Sequence, residues 1–82
     1  MNLPQFSDDA PPPPLSELVS ACDTMIAEKR AWLAEFGHGA PANRRHGSMG
    51  IQQQEDRLNA LLWLRRGYAT ALDRQRDREA AG

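Results

Sequence analysis

Between a run of four prolines, Pro11 to Pro14, and the first glycine of the chain, Gly37, the apolar residues recur by threes and fours. Leu15, Leu18, Cys22, Met25, Trp32 and Phe36 keep that spacing, and Val19, Ile26 and Leu33 widen the stripe. Such spacing lines one face of an α-helix and does not fit the alternation of a strand. Only Lys29 interrupts it, and a lysine stem can lie along an apolar seam while its amine reaches water. Prolines cannot enter a helix interior, and glycine after the last apolar residue is a usual helix stop. A helix is therefore predicted over about 16–36. Ser16 is expected to cap its first turn, with Glu17 favoured at the positive end of the dipole.

Residues 37–50 hold four glycines and Pro41 and read as a loop. It is long for a helix–helix connection, which implies mobility or a role in function. A second start signal stands at Ser48, and the helical period resumes over about 51–78. Ile51, Leu58, Leu61, Leu62, Tyr68, Ala69 and Leu72 share one face of this helix, wetted by Gln54, Glu55 and Arg65. Past Leu72 the sequence is charged and aperiodic, so residues 79–82 are predicted to be a frayed tail. The fold class expected is all-α: an antiparallel two-helix hairpin over 15–78, preceded by a disordered proline-rich leader over 1–14.

The second helix has a second apolar face. At 3.6 residues per turn, Trp63 projects away from the stripe of Leu61, Tyr68 and Leu72, and Ala60, Leu64, Gly67 and Ala71 lie beside it. One hairpin needs only one of these faces. The small residues allow another backbone to come close, and tryptophan is a frequent anchor of binding energy at interfaces. Ala60, Trp63, Leu64, Gly67 and Ala71 are thus the predicted partner-binding residues, and Trp32 is assigned to folding.

The totals support a need for partners. A chain of 82 residues with its ends excluded buries little apolar surface, and its one cysteine, Cys22, excludes an internal disulfide. Self-association, as a dimer forming a four-helix bundle, is the expected compensation. Residues 1–37 carry six acids and two bases, whereas residues 38–82 carry eight bases and five acids. Such asymmetry can orient antiparallel chains. The net charge of −1 argues against a whole-chain nucleic-acid binder. No segment has the length of a membrane span or the form of a signal peptide, so the expected compartment is the cytoplasm.

Chemistry is sparse. Ser48 has His46 nearby but no orienting carboxylate, and Cys22 belongs to the apolar stripe, so no catalytic residue is assigned. His38 and His46 lack the paired spacings of a structural zinc site, and no phosphate-cradling loop is present, so no metal or cofactor is expected. Arg44, Arg45, Arg65 and Arg66 form a modest basic group suited to charged contacts.

In its build over residues 15–78, and in the Leu58-Asn-Ala-Leu-Leu-Trp-Leu stretch, the chain resembles small helical hairpins that bacteriophages encode to disable host proteins. Anti-CRISPR and anti-quorum-sensing proteins belong to that group. The resemblance implies inhibition of a larger host protein by occlusion, and no functional residue is carried over from it. Secretion chaperones of hairpin type are equally short. The WXG-type secreted hairpins differ, since the loop here opens Phe36-Gly37-His38-Gly39 without their Trp-x-Gly turn. The leading expectation is a non-enzymatic module that inhibits or modulates a larger protein. The alternatives are a small nucleic-acid-binding accessory protein that uses the basic loop and second-helix arginines, and a secretion or phage-assembly chaperone.

Overall fold

A computed structural model describes residues 10–81. Residues 1–9, most of the expected leader, lie outside the described residues. Two helices, α1 (Leu15–Phe36) and α2 (Ser48–Ala81), pack against each other, and the described residues contain no strand. No described helix is long and apolar enough to cross a membrane.

The first turn of α1 departs from the expectation. The helix begins one residue earlier than predicted, and no side chain caps it, so Ser16 does not have that role. Pro14 holds an extended backbone (φ −56°, ψ 149°), and its carbonyl accepts hydrogen bonds from the amides of Glu17 (3.0 Å) and Leu18 (3.2 Å). The ring of Pro14 presets the entry into the helix and leaves Ser16 inside the first turn, too far along the chain to cap it.

At the other end, Gly37 donates its amide to the Leu33 carbonyl at 2.8 Å and is buried. A β-carbon there would come within 3.1 Å of the Leu33 carbonyl carbon and closer still to its oxygen. Gly37→Ala is therefore expected to destabilise the hairpin by about 1–3 kcal/mol, the usual cost of overpacking. Chemical denaturation would check this, with Gly39→Ala as the control, since nothing lies near a β-carbon at Gly39.

The connection is shorter and more ordered than predicted. Residues 48–50 already belong to α2, so the loop is 37–47. The amide of Ala40 donates to the Gly37 carbonyl (3.0 Å), those of Arg44 and Arg45 to Pro41 (2.9 and 3.0 Å), and that of His46 to Phe36 (2.9 Å). This last bond closes the loop back onto the end of α1. The His46 ring then packs on Trp32 and Phe36, with centroids 4.9 and 5.2 Å away, and Trp32 and Phe36 are 5.4 Å apart. α2 also outruns the prediction at its C-terminal end. Residues 79–81, expected to fray, are helical.

Between the helices the apolar seam is thin. Among the described residues, the buried hydrophobic side chains are Cys22, Ile26, Ala40 and Ile51. Three polar pairs complete the seam. Lys29 Nζ donates to Gln54 Oε1 at 2.6 Å, so its amine finds α2 where water was expected. The Arg65 guanidinium donates to the Asp23 carboxylate. His38 Nε2 lies 3.7 Å from Glu55 Oε1. The polar residues on the inner face of α2 thus meet partners on α1 and the loop. The hydrogen bond that Arg65 donates to Asp23, and the negative charge of that carboxylate, raise the Arg65 pKa above the usual arginine value. Pro14, Leu15 and Ser16 share a shallow groove with Leu72, Gln75, Arg76 and Glu79, which confirms the antiparallel arrangement from the start of α1.

Candidate functional site

α2 is longer than α1, at 34 residues against 22, and α1 covers only one of its sides. The side turned away keeps large apolar groups in solvent. Trp63 is 64% exposed and Leu64 50%, whereas Ile51 on the opposite face is 1% exposed. Exposed apolar groups gathered on one face mark an interaction surface more readily than the same groups scattered singly.

The residues predicted for partner binding come together here. Ala60, Trp63, Leu64 and Gly67, joined by Tyr68, line one shallow groove. Trp63 and Gly67 also line an adjoining depression with Arg66, Thr70, Ala71 and Arg74. Gly67 has nothing within 4 Å of where a β-carbon would be, so the strip is open above it. Arg66 folds its guanidinium over the Trp63 ring, 5.5 Å from the centroid. That contact holds the indole on the surface without burying it.

Two residues of this face differ from the expectation. Tyr68, assigned to the inner stripe, is half-buried at its margin and also lines the outer groove. Met49 is 89% exposed. It stands eleven residues before Ala60, a spacing that returns a helix to nearly the same side after three turns. Gly47 and Gly50, on either side of Met49, suggest loop and mask that spacing. Leu62, placed on the inner stripe, is 38% exposed at its edge.

The four arginines named for charged contacts do not form one patch. Arg65 faces α1 and is paired with Asp23, and Arg45 Nη2 donates to the Ala40 carbonyl at 2.9 Å. Arg66 lies on Trp63, and Arg44 is exposed in the loop. Their neighbours in sequence are separated by the turn of the helix and the path of the loop. His46 rests on the aromatic pair and His38 faces Glu55, which places the two histidines in different surroundings. Cys22 is 3% exposed in the seam, where a thiol packs as a small hydrophobe. No protein-family model matches the chain, and neither does any curated protein or solved structure.

Proposed function

We propose that this protein is a non-enzymatic binding module that acts by occlusion, laying the outer face of α2 against another protein chain. The observation that supports this reading is the exposure of Trp63 and Leu64 beside Gly67 on a face that the hairpin itself leaves uncovered. A rigid aromatic anchor next to small residues lets a partner's side chains and backbone close around it. The target in this reading is a larger protein whose working surface the helix blocks, as the resemblance to phage-encoded inhibitors implies. The four-helix dimer belongs to the same reading, because a second copy can occupy the same face. The separation of the arginines supports protein recognition over phosphate tracking.

The test is retention of partners by the tagged chain in a bacterial lysate, repeated with Trp63→Ala, Gly67→Leu and the pair Arg44→Ala with Arg45→Ala. Trp63→Ala should weaken association by at least about 2 kcal/mol, the cost of losing a central anchor. Gly67→Leu should act alike by holding the partner away, and the arginine pair should have little effect. Retention that ignores Trp63 and Gly67 but collapses with moderate salt would favour nucleic acid and reject this function.

A further inference from the structure

We infer that the outer face of α2 pairs with the same face of a second copy, antiparallel, about a two-fold axis passing close to Gly67. The inference rests on the reading of that face as a protein-binding surface and names its occupant. Two independent features of the face support it.

The first is size. Ala60, Gly67 and Arg74 recur every seven residues, as do Leu64, Ala71 and Arg78, so the face carries the spacing of a coiled-coil seam. Trp63 and Leu64 lie on the N-terminal side of Gly67, beyond which only Ala60 is small, and Thr70 and Ala71 lie on the C-terminal side, where Tyr68 stands at the margin of the face. An antiparallel two-fold at Gly67 sets the bulky half of each copy on the small half of the other. Trp63 then meets the Gly67–Thr70–Ala71 side of the second copy's depression, which that copy's own Trp63, Arg66 and Arg74 border, and the glycines allow the two backbones to approach. A parallel pairing would stack Trp63 on Trp63 and leave the small half hollow.

The second is charge. On this face the N-terminal half bears Asp56, with Arg66 folded over Trp63 next to the axis, and the C-terminal half bears Arg74 and Arg78. In antiparallel register about Gly67, Asp56 of each copy is level with Arg78 of the other. In parallel register both arginines would face their own counterparts, and like charges held together destabilise a pair. The charges therefore select the same orientation as the shapes. An isologous two-fold contact of this kind also closes the assembly at two chains.

The experiment combines cysteine cross-linking with sedimentation equilibrium on the full chain. Cys22 is buried in the seam and does not compete. Under mild oxidation Gly67→Cys should link to itself, since the axis brings the two positions within disulfide reach. Ala60→Cys alone should not link, but a mixture of Ala60→Cys and Arg74→Cys should. Asp56→Arg should weaken dimerisation about tenfold at low salt, because it turns two exposed pairs repulsive, and adding Arg78→Asp should restore it. Circular dichroism of each variant checks that the helices persist. Self-linking of Ala60→Cys would overturn the antiparallel pairing. A monomeric mass up to millimolar concentration would overturn self-pairing altogether, and a dimeric mass without linking at Gly67 would overturn the two-fold placed there. If partner retention then still depends on Trp63, the binding function stands and its occupant is a different protein. If neither dimerisation nor retention responds to Trp63, both readings fall.

Discussion

Ile51→Ala is expected to leave most of the chain unfolded at room temperature. Ile51 is the most buried large side chain among the described residues, at 1% exposure. It lies in the first turn of α2, where only α1 and the loop can cover it, and its amide donates to the Gly47 carbonyl at 3.0 Å. Truncating a buried isoleucine to alanine costs about 2–5 kcal/mol, the transfer term plus the cavity left behind. A single core in a chain of this size supplies only about 3–5 kcal/mol in total. The loss is therefore comparable to the whole stability, and Cys22, Ile26 and Ala40 are too few to compensate. Far-UV circular dichroism should show helicity falling sharply at 25 °C, with partial recovery at high protein concentration if self-association contributes. A variant that keeps its helicity and denaturation midpoint would show that the seam is not where the hairpin is held together.

Trp32→Ala should come close to that effect by a different route. Trp32 contacts both Phe36, one turn along α1, and His46, at the end of the loop. It also borders the groove between the helices with Met25, Lys29, Gln54 and Leu61. Removing it takes away the surface on which the loop closes and opens the seam beside the Lys29–Gln54 hydrogen bond. The expected loss is about 3 kcal/mol, the low end for a tryptophan truncation because the ring is only half-buried. The near-UV dichroism of the aromatic cluster should disappear with it. His46→Ala should cost less, since it leaves the Trp32–Phe36 contact in place.

The periodicity of the sequence was enough to find both helices and the two faces of α2, because amphipathic spacing is a local property. It was not enough to find which polar residues pair. Lys29, Gln54, Glu55 and Arg65 were visible as wet positions, but their partners depend on how far one helix is shifted along the other. That register is fixed by the loop, and the loop is fixed by Trp32, Phe36 and His46. Glycine and proline content announced a break in the helix and concealed this packing. Ser16 is a cap residue by type, but Pro14 sets the position of the first turn and leaves Ser16 inside it. Tyr68 lies at the margin of two faces, a position for which a binary apolar–polar pattern has no category. The outer face itself was legible, since Trp63 could not join the inner stripe at any helical register.

In the proposed function the two tryptophans have separate duties, Trp32 in folding and Trp63 in binding. The most direct measurement is urea denaturation of wild type, Trp63→Ala and Trp32→Ala, at a protein concentration low enough for the wild type to be monomeric. Under that condition mass action from self-association no longer contributes to the midpoint. Trp63→Ala is expected to unfold at the wild-type midpoint with the wild-type slope, while Trp32→Ala unfolds at a much lower urea concentration. If Trp63→Ala lowers the midpoint as far as Trp32→Ala does, the outer face of α2 is part of the folding core, and its assignment as a binding surface is wrong.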